Sequence, residues 1–177
     1  MDGIAWTASA MRTARARLEI AAQNLANVSS DGFRKAIARV SLTAHGLITG
    51  KATSAEQGAL RHTGRALDLA IVGEGAFIVG GRPTRDGAFV HDAQGWLTND
   101  RGQRVQGAHG FARVASDIPV PQRSQVISGA LESPNVNAIG EMVDVLDAQR
   151  AFETAQKALG AIDETRAKAV NEVGRLR

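Results

Sequence analysis

Each end of the chain carries apolar residues at a period of seven. In the first stretch Ile4, Met11, Leu18 and Leu25 form one row, and Thr7, Ala14, Ala21 and Val28 form its partner. This is the a/d pattern of a heptad helix sustained over more than three repeats. Asp2 is placed to cap its start, and Gly32 to stop the chain after Asn27. At 1.5 Å per residue the helix should run ~37 Å. Near the other end Val145, Phe152, Leu159 and Val173 form one row, broken by Arg166; Ala148, Ala155, Ile162, Ala169 and Leu176 form the other. Asn135 or Asn137 can cap this second helix, and Glu141 suits its positive first turn. It should run from about 138 to the mid-170s, ~55 Å.

Between the helices the pattern changes. Residues 58–130 are rich in glycine and hold most of the prolines. Leu69-Ala70-Ile71-Val72 and Ala76-Phe77-Ile78-Val79 read as strands, with Trp96-Leu97-Thr98 and Arg104-Val105-Gln106 as two more. Asp92-Ala93-Gln94-Gly95 and Asn99-Asp100-Arg101-Gly102 are turn tetrads ending in glycine. A meander of short antiparallel strands is expected. Residues 34–57 fit no single pattern, and 42–49 read as either a short helix or a loop. Pro119 and Pro121 limit strand pairing across 108–128. The expected fold class is α+β: long N- and C-terminal heptad helices packing as a coiled coil, around a small antiparallel β-rich central region. The segments are 1–33, 34–130 and 131–177. Both seams are narrow, so each helix needs a partner, first the other terminal helix and then helices of neighbouring copies.

Composition sharpens this picture. Of 177 residues 44% are hydrophobic, but there is no Tyr, and only five Phe and two Trp. Thin helix–helix seams fit that balance better than one large core. With no Cys, disulfides, thiolate catalysis and Cys-ligated zinc are excluded. The net charge of +3 is spread along the chain and demands no nucleic-acid partner. No secretory leader and no membrane-spanning run is visible. Residues 8–22, with Arg12, Arg15 and Arg17, have the look of an organelle transit peptide, but the regular seam and the Asn-rich turn that follows argue against one.

Candidate chemistry is sparse. His45, His62, His91 and His109 never fall at i, i+3 or i+4, so no helix-borne metal site is indicated. Gly73-Glu74-Gly75 opens like a dinucleotide fingerprint, but position 78 is Ile and no phosphate-loop Lys follows. These glycines read as a turn or bulge between strands. Asp68 and Glu74 read as a strand-edge and a turn residue, not as a catalytic carboxylate pair. No Gly-x-Ser-x-Gly elbow exists. Arg12, Arg15, Arg17, Arg34 and Lys35 lack any accompanying nucleic-acid motif, and in the helical part Arg12, Arg15 and Glu19 share a face that reads as solvated. No catalysis, cofactor, metal or nucleic-acid role is expected.

The local motifs point elsewhere. Asn24-Leu25-Ala26-Asn27, then Gly32-Phe33 and Lys35, resembles the N-terminal signature of flagellar rod and hook proteins. The run from Thr63 to Phe77, containing Leu67-Asp68-Leu69-Ala70-Ile71-Val72-Gly73-Glu74-Gly75, is similar to that family's central block, and Thr84-Arg85-Asp86-Gly87-Ala88-Phe89 and Gly95-Trp96-Leu97 follow in family order. Leu131-Glu132-Ser133-Pro134-Asn135-Val136-Asn137, Glu141-Met142-Val143 and Gln149-Arg150-Ala151-Phe152-Glu153 resemble its C-terminal helix signature. Four collinear blocks make the resemblance specific. Three departures stand out: Pro83 and Ala76 replace usual aromatics, and only about 25 residues separate Gly107 from Leu131. The last favours a compact proximal-type rod subunit, or a shortened relative of the longer rod proteins.

The resemblance implies a structural subunit of the bacterial flagellar basal-body rod. Its terminal helices would pack in the inner tube, transmit torque and line the export channel. Its partners would be other copies, other rod and hook proteins and the flagellar type III export apparatus, which would pass it without signal-peptide cleavage. The residues expected to pack between subunits are Leu18, Asn24, Leu25, Asn27, Val28, Phe33, Asn135, Val136, Asn137, Met142, Arg150, Phe152, Leu159 and Ile162. The competing expectation is a soluble coiled-coil homo-oligomeric adaptor or chaperone-like binder.

Overall fold

The computed structural model describes residues 3–43 and 46–175. The heptads form two helices, α1 at Gly3–Ala26 and α2 at Ala138–Arg175. Between them lie β1 (Ala36–Thr43), β2 (Gly46–Thr53), β3 (Leu60–His62), β4 (Leu69–Val72), β5 (Phe77–Val79), β6 (Arg82–Thr84), β7 (Val90–His91), β8 (Leu97–Thr98), β9 (Gln106–Gly107), β10 (Gly110–Phe111), β11 (Gln125–Ser128) and β12 (Ala130–Glu132). All strand pairs are antiparallel. The α+β class is as expected. The chain groups into two compact units: Met1–Ala26, Ala36–Ser54 and Asn137–Arg177 form the first; Asn27–Lys35 and Ala55–Val136 form the second.

In the first unit α1 and α2 pack together and run antiparallel. A Cβ on Gly3 would lie 3.4 Å from the Ile162 side chain, while the Asn24 carboxamide bonds Glu141 at the other end. On α2 the buried positions Glu141, Ala148 and Ala155 recur every seven residues, with half-buried Val145, Phe152, Leu159 and Ile162 between them. These are the rows read from the sequence. On α1 Ala14 and Ala21 are buried between half-buried Ile4, Thr7, Met11, Leu18 and Leu25. Asn137 takes the cap of α2, its Oδ1 accepting from the Ile139 and Gly140 amides. Asp2, read as the cap of α1, lies outside the described residues, as does His45.

Where 42–49 read as a short helix or a loop, β1 and β2 instead pair as antiparallel strands. The β-branched residues along 36–53 support strands, but the flanking pattern is too polar to mark a core face. The hairpin instead packs on a second buried face of α1 made of small polar side chains. Ser9 is fully buried there, and the Thr49 hydroxyl bonds Thr13 at 3.2 Å. A heptad search finds only apolar rows, so it misses this face.

The second unit holds the apolar core: Leu69, Ile71, Phe77, Val79, Phe89, Leu97, Val105, Ala112 and Ile118. Phe77 and Phe89 meet edge to face, centroids 5.2 Å apart. Each buried Phe contributes ~1.5–3 kcal/mol. The two turn tetrads close as read, with Gly95 N bonding Asp92 O and Gly102 N bonding Asn99 O. The closure is not a simple meander, however. β4 pairs with β11 and β3 with β12, joining segments far apart in sequence. β11 follows Pro121 immediately beyond a short turn, so the prolines delay pairing without preventing it.

Gly87 sits where two backbones touch: a Cβ there would lie 1.6 Å from the Leu69 carbonyl oxygen. Gly87→Ala must break the Leu69 N–Gly87 O hydrogen bond, 2.9 Å long, or displace β4. We expect a loss of at least about 1–3 kcal/mol, read as a lower urea midpoint for the second unit with α1 and α2 still helical.

Candidate functional site

Two polar clusters organise the units, and both draw on residues of the sequence motifs. In the first unit Asn24, the last buried residue of α1, is fully enclosed. Its Oδ1 accepts the Ala36 amide at 2.8 Å, and its Nδ2 donates to the Ala36 carbonyl at 2.9 Å and to Glu141 Oε2 at 3.0 Å. One carboxamide thus satisfies the first residue of β1 and ties it to the first turn of α2. Asn suits this role because it both donates and accepts. The Glu141 carboxylate also lies in the positive first turn of α2.

In the second unit the cluster is ionic. Glu132 closes β12, and Arg85 follows β6; both are buried. Arg85 donates through Nη1 to Glu132 Oε2 at 2.9 Å and to the Ile71 carbonyl at 2.8 Å. Its Nε donates to the Gly75 carbonyl at 2.6 Å, and its Nη2 to that of Gly73. Glu132 Oε1 accepts from Arg34 Nε at 3.4 Å and from the Gly58 amide at 3.3 Å. The Glu132 carbonyl takes the Gly32 amide at 2.6 Å. Gly32 has φ +70°, and a Cβ there would lie 2.2 Å from the Arg85 carbonyl carbon, so only glycine fits. Burial pushes the Arg85 guanidinium below its ordinary value, and the Glu132 charge opposes that shift. Arg61 pairs with Asp31 at 2.9 Å, a further tie to the same N-terminal turn. Asn135 holds the other side of the turn, accepting from the Lys35 amide at 2.6 Å and donating to the Glu56 carbonyl at 2.9 Å.

This is a fold-holding arrangement. The hydrogen bonds named join side chains and backbone within one unit each. Among the described residues no group of three His, Asp or Glu side chains could hold a metal.

The comparisons agree with the motifs at both ends. Residues 6–34 match the family described as "Flagella basal body rod protein". Residues 127–172 match "Flagellar basal body rod FlgEFG protein C-terminal". Both ends of the chain thus match models of flagellar rod and hook proteins. It is similar to the flagellar basal-body rod protein FlgF of Caulobacter vibrioides, 27% identical over 95% of this chain and 96% of that protein. It is 25% identical to the rod protein FlgG of Agrobacterium fabrum, over 93% and 96% of the two chains. The flagellar hook protein FlgE of Brucella abortus is 34% identical over 56% of this chain and 29% of its own length. The FlgF alignment runs over 235 positions against the 177 residues here, so that relative has stretches without counterparts in this chain.

The residues read as subunit-packing fall in three environments. Leu18, Leu25, Phe152, Leu159 and Ile162 are half-buried on the paired helices. Asn24 and Asn135 are internal clamps, and Asn137 is a helix cap. Asn27 accepts the Ser30 amide through its carbonyl in the turn after α1, where Val28, Phe33 and, further on, Val136 are half-buried. Met142 and Arg150 are exposed. Sequence reading placed Arg85 and Glu132 only within family-like blocks and gave Glu141 only a favourable place in the first turn of α2. Their signal was a charge inside an otherwise apolar run, as in Ala130-Leu131-Glu132, where β12 is buried on both faces.

Arg85→Met would leave the Glu132 charge buried with only Arg34 and one amide, at a cost of about 3–5 kcal/mol. Adding Glu132→Leu should recover only part of this, because the Ile71, Gly73 and Gly75 carbonyls still lack a donor; urea unfolding of the single and double variants measures both effects. Two aspartates should act oppositely on pH-dependent stability. The hydrogen bond from Arg65 holds the Asp68 carboxyl below its usual 3.8. Its stabilisation is therefore present above that value and lost as pH falls through the lower folded value. Burial raises Asp86 above 3.8, so its ionisation weakens the fold as pH rises through that range. Melting curves from pH 3 to 7 should show Asp68→Asn destabilised and Asp86→Asn stabilised at neutral pH, with both differences shrinking in acid.

Proposed function

We infer that this chain is a structural subunit of the flagellar basal-body rod. The observation that carries the reading is the antiparallel pairing of α1 with α2, the two segments that match the family, clamped in one unit by Asn24 and Glu141. Family relatives named as rod and hook proteins support a location in the basal body and assembly with other rod and hook proteins. Segments 1–33 and 131–177 form the axial part, and 34–130 contributes mainly an outer region. The helices pack as a coiled coil inside the subunit and against neighbouring copies through Leu18, Leu25, Phe152, Leu159 and Ile162. The assembled helices transmit torque and border the export channel, and the chain reaches its place through the type III export apparatus without cleavage of a leader. The half-buried state of these seam residues supports this, since one helix partner leaves apolar surface for a second.

Quantitative mass spectrometry of purified hook–basal bodies tests the reading. Presence at far fewer copies than the hook protein is expected; absence from bodies that contain other rod proteins overturns it and leaves the adaptor reading. Phe152→Ala removes a seam side chain at a cost of roughly 2–5 kcal/mol, repeated at every subunit. Loss of the variant from basal bodies, with the second unit's near-ultraviolet signal intact, is expected; wild-type incorporation would sink the seam.

A further inference from the structure

The second unit carries an open cavity of about 760 Å³, lined by none of the residues of the two polar clusters. It forms where three chain reversals meet: the Gly80–Gly81 turn joining β5 to β6, the turn from Asn99 to Gly102, and the turn between β9 and β10. Small-ligand sites occupy about 300–1,000 Å³, so the size fits a ligand of several rings. Gly81 and Gly102 have φ +78° and +72°, and a Cβ on either would meet nothing within 4 Å. Bare backbone therefore forms part of the wall.

The polar side chains of this cavity are held in place with bonding capacity left over. Asp92 Oδ1 accepts the Gln94 and Trp96 amides, both at 2.9 Å, which fixes the carboxylate. Arg104 donates through Nε to Asp92 Oδ2 at 2.8 Å and through Nη2 to Gln94 Oε1 at 3.0 Å. One edge of the guanidinium is thereby occupied, while Nη1 has no hydrogen-bond partner among the described residues. Gln103 accepts from Asn99 through Oε1 at 3.1 Å, which leaves its Nε2 to donate. Phe111 stands beside these groups, 50% exposed, with the Arg104 guanidinium carbon 5.5 Å from its centroid and Trp96 meeting it edge to face at 6.2 Å.

Charge decides the class of ligand. Asp92 and Arg104 are the only charged residues in the lining, and they neutralise each other. A phosphate or a nucleic-acid backbone would find no net positive charge here. What remains is a set of donors and acceptors next to an apolar ring. That combination suits a neutral ligand whose hydroxyls both donate and accept and whose ring presents C–H groups. We propose that this cavity is a glycan-binding site. The C–H face of a pyranose packs on Phe111, and neighbouring hydroxyls accept from Arg104 Nη1 and Gln103 Nε2 and donate to Asp92 and the Gln106 carboxamide. The site is independent of the rod reading and stands or falls without it.

The full chain is titrated with cellotetraose, chitotetraose and maltotetraose up to about 10 mM, the range of weak single-site binding, and followed by proton–nitrogen correlation NMR. Saturable shifts of the Gly81, Gly102 and Gly110 amides and of the Arg104 Nε signal are expected with at least one of these sugars. Which sugar binds tells whether the linkage or the N-acetyl group is read. Trp96 emission in a Trp6→Phe chain should change with the same midpoint, because Trp96 touches Phe111. Phe111→Ala should weaken binding about tenfold or more with the second unit still folded, since the ring is half exposed. No saturable shift with any of the sugars, shifts that map away from the cavity, or a midpoint that Phe111→Ala leaves unaltered overturns the site.

Discussion

A guanidinium buried beside one carboxylate and three backbone carbonyls is the interaction on which the second unit depends. Arg85 cannot lose its charge, so its burial requires a full set of acceptors. Glu132 supplies one, and the turn 73–75 between β4 and β5 supplies two more. That requirement fixes where β12, the 71–75 backbone and the turn after β6 must lie. The carboxylate then reaches Arg34 and the Gly58 amide, and its own carbonyl holds Gly32. Segments distant in sequence are brought together around one charge pair. The apolar core of Phe77, Phe89 and Leu97 supplies most of the stabilisation, but apolar contact is tolerant of shape. The ion pair is much less so.

The first unit works on the same logic with weaker groups. Its seam is built on alanines, with Ala14, Ala21, Ala148 and Ala155 buried. Small side chains let the helices approach but discriminate poorly between registers. Asn24 and Glu141 supply the discrimination, because sliding either helix by one turn would orphan a buried carboxamide and carboxylate.

Much of this was legible in the chain. Both helices, their facing rows, a cap at Asn135 or Asn137, the two glycine turns and the strands read at 69–72 and 76–79 follow from period, cap chemistry and turn chemistry, which are local properties. The Asn24-to-Phe33 motif was visible as a pattern, but its meaning was not. Asn24 looks like a helix terminator, and it becomes a clamp only because Ala36 and Glu141 arrive beside it. The hairpin at 36–53 was invisible because it packs on buried Ser9 and Thr13, polar residues that no hydrophobic pattern marks.

The sequence by itself determined the two heptad helices, the antiparallel β region between them and the family to which both ends point, since each is written in residues close together. Tertiary structure alone decided that the helices run antiparallel with Gly3 at Ile162, and that β4 closes with β11. It alone joined Arg85 to Glu132 and left one face of α2 bare at Ile139, Met142, Val143 and Leu146. Those outcomes depend on which charges and surfaces meet after the chain has folded back, and a one-dimensional pattern holds no record of that meeting.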